Sequence, residues 1–553
     1  MNRLQELFSF QQQESLLFTR LDFWLFFMLV MVVFMFIHKK YMLRSIFLTA
    51  VSLFFYFKTS GNFVLLLGLM LLLNYSLGLL VDRASKASRQ TFWLTLGVVL
   101  NLAGLAYFKY AYFFTEAFNA QFGTDFNVVN QFAVWGNELF GKGSFVDKIL
   151  IPIGVSFFTF HNISYLVDIS RKEIKAARNF FDYALYVTYF PHLIAGPIVR
   201  ARDFLPQVSA PYQLSKYDFS WSLWMIGKGL LKKLVFADYI AVQFIDKVLD
   251  APETYPGFVG LIAMFAYSLQ IYADFSGYTD MAIGVSKLMG FTLLENFNSP
   301  YKSVSVADFW RRWHKSLGSW LRDYLYIPLG GNQKGSIATG IMTAVILGFL
   351  YFITGWVELW YTYGILLVVY LLLWQFWKAF RNFAVRDLNL LITMVVGGLW
   401  HGASQNFVVW GAMNGLALVF YNYWKKISPY EKSNLWLIRS WRIFLTLSFI
   451  TFTRIWFRLP EADQPMIFLQ HLMQHFDWKL ETWFVVWNTY QVVFYLLILG
   501  FLTHWLPQNW KDKTVQFYAK WPMFLQALSF ALAVFIIYQA VSDSFKAFVY
   551  FQF

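Results

Sequence analysis

An ionisable side chain lies in the middle of a long apolar stretch of this sequence. The stretch from Asn389 to Trp424 contains no Asp, Glu, Lys or Arg, and it is long enough to enter a bilayer, where about 20 apolar residues make one crossing. His401 lies within it. Proton transfer is the chemistry that a histidine offers near neutral pH, because its unperturbed pKa is about 6.5. An ionisable group at this depth is costly to bury, so His401 is a candidate functional residue.

Two glycines flank this histidine in the sequence. Gly398 and Gly402 remove side-chain bulk beside His401, which allows another backbone or a substrate chain to approach closely. The alternative is a histidine that is hydrogen-bonded between packed helices and has no chemical role. The spacing alone does not separate the two interpretations.

A second group of reactive side chains lies between Val306 and Leu325. On an α-helix, at about 100° per residue, the apolar and charged side chains of this segment fall on opposite arcs, with His314 at their border. The pattern predicts one amphipathic helix on the membrane surface. Arg311 and Arg312 belong to the charged arc, where guanidinium groups could bind phosphates through paired hydrogen bonds. Such helices are common, so the segment alone does not establish a site.

The composition is that of a membrane protein. Hydrophobic residues make up 58% and charged residues 14% of the 553 residues, and the mean hydropathy is +0.48, outside the usual range of soluble domains. In this class, the net charge of +14 favours cytoplasmic loops and anionic lipid or phosphate partners rather than nucleic acid. The sequence contains no cysteine, which excludes disulfides, thiolate metal sites and a cysteine-linked acyl intermediate within the chain.

The apolar runs predict an all-α, polytopic transmembrane protein with roughly a dozen crossing or re-entrant helices. One membrane-embedded domain is expected to fill 1–553, with an interfacial helix over 1–22 at its start. The basic loops at Lys39–Lys40 and Arg83–Arg89 are predicted to be cytoplasmic, and 119–145 to lie outside, because cytoplasmic loops carry the excess of Lys and Arg. No internal repeat is evident.

Seven segments of the chain, together with the two stretches described above, match one family in order. They are FKYAYFF at 108–114, PIGVSFFTFHNISYLVDISR at 152–171, YFPHLIAGPIVRARDFLPQ at 189–207, GLLKKLVFADYIA at 229–241, YSLQIYADFSGYTDMAIG at 267–284, MGFTLLENFNSPY at 289–301 and the terminal FVYFQF. With WRRWHKSLGSWLRDYLYIPLGGN and GGLWHGASQNFVVWG, they resemble the membrane-bound O-acyltransferase family, in its bacterial branch that serves alginate O-acetylation and teichoic-acid D-alanylation. The two histidines are further apart than is expected for the family, and the excess falls on 335–377, where an extra helical pair is predicted.

The resemblance implies roles for two side chains. The family's invariant histidine falls on His401, which would be the general base. The second conserved polar position falls on His314, which would orient an acyl carbonyl or a proton. Which of the two contacts the acceptor stays open. Arg311 and Arg312 are assigned from their position instead: on the charged arc near His314, they are predicted to bind the phosphates of the donor.

Two further histidines lie in the matched segments. His161 and His192 stand where the family has glutamine as often as histidine, so both are interpreted as structural. No metal and no resident cofactor is expected, because an acyl-CoA or an acyl-carrier thioester would act as co-substrate.

Three functional hypotheses follow. The leading one is a multi-pass enzyme of the bacterial cytoplasmic (inner) membrane that moves acetyl from a cytoplasmic thioester, acetyl-CoA, to a hydroxyl of an exported or cell-envelope polysaccharide, with an extracytoplasmic acetyl-transfer partner protein. The second is D-alanyl transfer from a carrier protein toward teichoic acid. The third is a transporter or channel without acyltransferase activity, which the lack of two related halves disfavours.

Overall fold

The computed structural model describes residues 16–539, except for 144–145, 195, 333–336, 355–360, most of 361–377, and 460. Within these residues the chain is helical and contains no β-strand. The α-helices are α1 (Leu21–Ile37), α2 (Tyr41–Ser60), α3 (Phe63–Arg83), α4 (Ala87–Phe122), α5 (Gln131–Phe140), α6 (Val155–Ser170), α7 (Phe180–Thr188), α8 (Phe190–Leu193), α9 (Ala201–Ser209), α10 (Lys216–Leu231), α11 (Asp246–Leu249), α12 (Gly257–Leu288), α13 (Val306–Arg312), α14 (Lys315–Leu321), α15 (Ile337–Thr354), α16 (Lys378–His401), α17 (Gln405–Ile427), α18 (Trp436–Arg458), α19 (Gln464–Gln474), α20 (Leu480–Thr489), α21 (Gln491–Trp505), α22 (Gln508–Lys520) and α23 (Met523–Gln539). Short π-helices cover Lys232–Tyr239, Ala241–Ile245 and Arg322–Tyr326, and 310 turns cover Pro252–Thr254 and Pro300–Lys302.

Four of the described helices are long and apolar enough to cross a membrane, namely α2, α3, α4 and α12. Helices α20 and α21 form a further candidate as a pair bent by 84°. Many of the other helices are shorter than the roughly 20 residues of a full crossing, because kinks and π-helical turns divide the apolar runs. The prediction of an all-α, polytopic membrane protein is confirmed, although the separate helices number well over a dozen.

The core is built around α12, in which most residues are buried, and α10 packs along it. Gly229 and Gly277 allow the two backbones to touch, since a Cβ on Gly229 would lie 2.6 Å from the Gly277 oxygen. Just beyond α10, the buried Lys233 binds Asp238 at 2.8 Å and Asp274 at 2.7 Å. A buried charge is tolerated when it is paired, so these carboxylates neutralise Lys233 inside the bundle.

The segment 306–325 is not one helix, which corrects the sequence prediction. Helix α13 ends at Arg312, α14 begins at Lys315, and His314 between them has a φ of 43°. A left-handed residue cannot continue a right-handed helix. The turn is held from outside the segment, because the Lys315 N–H donates to the main-chain oxygen of Asn296 at 2.9 Å. As a result, His314 points into the core and is only 2% exposed.

Helices α16 and α17 form a tight hairpin that contains the central histidine. A Cβ on Gly398 would lie 2.2 Å from the main-chain oxygen of Phe407, and one on Gly411 would lie 2.5 Å from that of Met394. The close backbone approach expected at Gly398 is therefore present. At Gly402 the close neighbour is a side chain and not a backbone, since a Cβ added there would lie 2.1 Å from the Phe407 ring.

Two predicted elements fall largely outside the described residues. The helix predicted over 1–22 is described only from Leu16, and Leu17–Arg20 form a turn before α1. Helix α15 corresponds to the first member of the pair predicted over 335–377, and the second member lies mostly outside the described residues.

Candidate active site

His401 is the last residue of α16, and only 4% of its surface is exposed. Three aromatic rings surround its imidazole edge-on: Trp400 at 4.9 Å, Trp410 at 5.1 Å and Phe457 at 5.1 Å between ring centroids. Two of these rings come from other helices, α17 and α18. The rings fix the orientation of the imidazole and keep bulk water away from it.

Two cavities meet at His401. The larger, which we name the Lys109 cavity, has a volume of about 70 Å³ and is lined by Lys109, 151–157, Ile194, Trp400 and His401. The smaller, the Arg454 cavity, has a volume of about 10 Å³, which is room for about one water molecule. Its walls include Trp310, Trp313, His401, Trp410, Asn414, Arg454 and Phe457. Among the described residues, His401 alone lines both cavities, so its imidazole lies where groups arriving from two sides would meet.

The two histidines predicted from the sequence lie beside the same tryptophan. The Trp400 ring is 4.9 Å from the His401 ring and 5.9 Å from the His314 ring. His314 also packs edge-on against Phe275 at 4.6 Å. The structure thus brings His314 and His401 into one cluster, although His314 lines neither cavity.

Lys109 holds the last turn of α16 from the neighbouring helix α4. Its Nζ donates to the main-chain oxygen of Trp400 at 2.5 Å, and the hydroxyl of Tyr110 donates to that of Leu399 at 2.5 Å. The last carbonyls of a helix lack intrahelical partners, and a cation at this end interacts favourably with the helix dipole. Lys109 therefore fixes the backbone that carries His401 and places a positive charge on the cavity wall.

Arg311 and Arg312 line neither cavity. Arg312 Nε lies 3.0 Å from a carboxylate oxygen of Asp308, and Arg311 Nη2 lies 3.5 Å from the same oxygen. The Arg311 side chain is 73% exposed. Both guanidinium groups thus lie on the surface of α13, and donor-phosphate binding by them stays a prediction.

His161 and His192 are fully buried together, away from this site. Their rings are 4.8 Å apart, and His192 Nε2 is 2.9 Å from the main-chain oxygen of Tyr186. Neither lines one of the two cavities, which favours the structural interpretation. In the part of the chain that the structure describes, no three His, Asp or Glu side chains are grouped so as to hold a metal ion.

The polar residues of the cavity walls that were missed in the sequence include Lys109, Asn414 and Arg454. Lys109 and Arg454 carry the same signal that singled out His401, an ionisable side chain inside an apolar run. Asn414 lies in the same uncharged stretch as His401, and its Nδ2 donates to the main-chain oxygen of Trp410 at 2.9 Å. An uncharged amide in an apolar helix carries no comparable signal.

Residues 158–384 match the model of the MBOAT, membrane-bound O-acyltransferase family. His314 lies inside the matched region and His401 follows its end. The match begins inside α6 and extends through α15 into the first turns of α16, so it includes Phe160 and His314, whose rings pack against Trp400.

The chain is also similar to three curated bacterial proteins. It is 37% identical over 376 residues to the "Probable alginate O-acetylase AlgI" of Azotobacter vinelandii, covering 67% of this chain and 62% of that protein. It is 28% identical over 461 residues to the "Peptidoglycan O-acetyltransferase" of Helicobacter pylori, covering 79% and 75%. It is 26% identical over 293 residues to the "Teichoic acid D-alanyltransferase" of Bacillus subtilis, covering 51% and 63%. The match thus spans less than two thirds of the Azotobacter protein, and together these similarities confirm the family resemblance.

Proposed function

We propose that this chain, which carries a membrane-bound O-acyltransferase region, transfers an acetyl group from a thioester donor to a hydroxyl group at His401. The observation that carries the proposal is the position of His401, whose imidazole lines both the Lys109 cavity and the Arg454 cavity. A hydroxyl is a weak nucleophile until a base accepts its proton, and such a base contributes about 10²- to 10⁴-fold in rate. A buried imidazole between two cavities is suited to that task.

In the proposed reaction, the hydroxyl oxygen of the acceptor bonds to the carbonyl carbon of the thioester while His401 accepts the hydroxyl proton. The carbon–sulfur bond then breaks, and the leaving thiolate takes the proton from the imidazolium. His314 supports this step as a second polar group on the far side of Trp400, where it helps to orient the acyl carbonyl or the proton. No other chemical group is needed to balance the reaction.

We assign the donor to the Arg454 cavity and the acceptor to the Lys109 cavity. The Lys109 cavity is lined by 151–154, at the start of α6, and the other end of α6 leads to Arg171. Arg171 is in a basic loop, a feature of the cytoplasmic side, so the Lys109 cavity lies toward the outside. Helix α13 forms part of the wall of the Arg454 cavity. In the segment that continues from α13, the main-chain oxygen of Asp323 accepts a hydrogen bond from Arg171 Nη2 at 3.0 Å. This contact joins the segment to the basic loop, which supports entry of the donor from the cytoplasm.

The acceptor is proposed to be a polysaccharide that has left the cytoplasm, and the enzyme to reside in the bacterial inner membrane. Two of the relatives are named for acetylation of alginate and of peptidoglycan, which favours acetyl over D-alanyl and a sugar polymer over other acceptors. The donor and the exported acceptor are on opposite sides of the membrane. A buried base that both can reach, each from its own face, allows the acyl group to pass between them. The extracytoplasmic acetyl-transfer partner protein would assist by bringing the polymer to the Lys109 cavity.

Reconstitution in liposomes tests this function. Labelled acetyl-CoA is supplied on one face and a soluble polysaccharide on the other, and ester-linked label on the polysaccharide is measured. We expect label to accumulate with the wild-type protein and not with His401→Ala. Transfer of D-alanine from a charged carrier protein, with none from acetyl-CoA, would replace this proposal by D-alanyl transfer, and movement of solute without ester formation would replace it by transport.

A further inference from the structure

Arg454 carries a positive charge inside the bundle and forms no ion pair with a carboxylate of the described residues. Only 3% of its surface is exposed. On the same helix, Arg458 is neutralised instead, because its Nη2 lies 2.7 Å from Asp250 and 3.4 Å from Asp246. A charged side chain at membrane depth is costly, and by default it marks a functional site.

The surroundings of Arg454 orient its guanidinium without neutralising it. Nη1 donates to the hydroxyl oxygen of Tyr301 at 2.7 Å and, at 3.5 Å, to the main-chain oxygen of Ser268. The guanidinium lies over the Trp313 ring at 4.7 Å and the Phe309 ring at 5.9 Å. An arginine has five N–H donors in a rigid plane. Nε and Nη2 donate to no described residue, and the side chain lines the Arg454 cavity, so these donors are available to a ligand.

Arg454 is also one helical turn from a residue that contacts the candidate base. Phe457 packs against the His401 ring at 5.1 Å, and side chains three positions apart on a helix are neighbours, about 5–6 Å between Cβ atoms. Arg454 and His401 therefore form two walls of the same narrow space. A volume of about 10 Å³ fits a group the size of a carbonyl, whereas a phosphate or a sugar ring is too large.

We propose that Arg454 binds the carbonyl oxygen of the acyl group that is transferred. This inference rests on the proposed function and adds a catalytic residue to it. When the acceptor oxygen bonds to the carbonyl carbon, the electrons of the carbon–oxygen double bond move onto its oxygen. That oxyanion faces the guanidinium, while His401 holds the proton of the hydroxyl. When the double bond reforms, the thiolate leaves and takes the proton from His401. A preorganised donor at the position where charge develops is typically the largest single contribution to such catalysis.

The first test compares the binding of two donors that differ only in the carbonyl. Acetyl-CoA has this oxygen, and S-ethyl-CoA has a methylene in its place. We expect the wild-type protein to bind acetyl-CoA about tenfold more tightly, as for a hydrogen bond to a charged group, and Arg454→Gln to lose this preference. Arg458→Gln is the matched control, because it removes a charge from the same helix outside both cavities, and it should keep the preference. Equal preference in wild type and Arg454→Gln would overturn the inference, since a purely structural arginine predicts that result.

The second test separates this inference from the proposed function. Loss of one oxyanion donor lowers kcat by about 10²- to 10³-fold, so Arg454→Gln should show that loss with a much smaller change in the KM for acetyl-CoA. Arg454→Lys keeps the charge and should retain more of kcat, provided that both variants remain folded in the membrane. Wild-type kcat in Arg454→Gln, with His401→Ala inactive, would overturn the role of Arg454 and leave the proposed function standing. A wild-type protein that transfers no acyl group would overturn both.

Discussion

The ammonium of Lys109 lies 2.5 Å from the main-chain oxygen of Trp400, the residue that precedes His401. The two partners are 291 positions apart in the sequence, so the contact ties two distant helices together at the candidate base. Lys109 also lies 5.9 Å from the centroid of the Trp400 ring, the same ring that His314 and His401 contact. The geometry of the histidine cluster therefore depends on a cation outside the cluster.

Lys109→Met should lower acyl transfer by about tenfold to a hundredfold, because a hydrogen bond from a charged group contributes about 1.5–3 kcal/mol. The variant leaves the Trp400 carbonyl without its partner and frees the last turn of α16. Tyr110→Phe is the matched control, since it removes a neutral hydrogen bond to the adjacent carbonyl and should cost less. The measurement is the transfer rate per folded molecule, and an equal loss in the two variants would contradict a special role for the charge.

A bulky substitution in one cavity should raise the KM for only the substrate that is assigned to that cavity. Ser156 and Ile450 are buried on the walls of the Lys109 cavity and of the Arg454 cavity, respectively. Ser156→Phe should raise the KM for the acceptor, and Ile450→Phe should raise the KM for the thioester. Overpacking costs about 1–3 kcal/mol of stability, so Ser156→Ala and Ile450→Leu serve as controls and thermal unfolding is measured in parallel. If both enlarged variants impaired the same substrate, the assignment of the cavities would be wrong.

The sequence predicted the features that depend on local pattern. His401 stands out because nothing else in its stretch is charged, and Gly398 indicates a close backbone approach that the hairpin of α16 and α17 contains. The packing around Gly402 could not be read from the sequence. The sequence suggests that a bulky residue at Gly402 would block the site. In the structure, however, a Cβ at this position would lie 2.1 Å from the Phe407 ring. A tryptophan there would disturb the hairpin itself.

The remaining features depend on contacts between distant segments. The helical period across 306–325 gives no sign of the break at His314, because the left-handed residue is held by Asn296 from another segment. Likewise, Lys109 and Arg454 are single cations in apolar helices, and only the packing shows that each lines a cavity with His401. The pattern identified one member of the site, and tertiary structure was needed to find its partners.

The orientation of the chain can be tested with single cysteines, because the natural sequence has none. Ser85 lies in the basic loop predicted to be cytoplasmic, and Asn127 lies in the loop predicted to be outside; both are exposed. A membrane-impermeant thiol reagent added to intact cells should label Asn127→Cys and leave Ser85→Cys unlabelled. Permeabilised cells, in which both should react, are the control. Labelling of Ser85→Cys in intact cells would invert the topology and exchange the donor and acceptor sides.

Replacing Arg311 and Arg312 together by alanine should weaken donor binding several-fold. Both guanidinium groups lie on the surface of α13, whose Trp310 lines the Arg454 cavity, and arginines at such a position can bind the phosphates of a thioester donor. The affinities for acetyl-CoA and for the acceptor are measured in the double variant. Asp308→Asn, which removes the shared carboxylate partner, should have the opposite effect or none. Unchanged donor affinity in the double variant would leave these arginines with a purely structural role.

The proposed function requires that His401 accepts the proton of the acceptor hydroxyl. The measurement is the rate of acyl transfer by His401→Ala in membranes, normalised to the amount of folded protein and compared with the wild type. A general base contributes about 10²- to 10⁴-fold, so we expect the variant to transfer at no more than about one hundredth of the wild-type rate while it inserts and purifies normally. A His401→Ala protein that keeps more than about a tenth of the wild-type rate would be incompatible with a base of that strength.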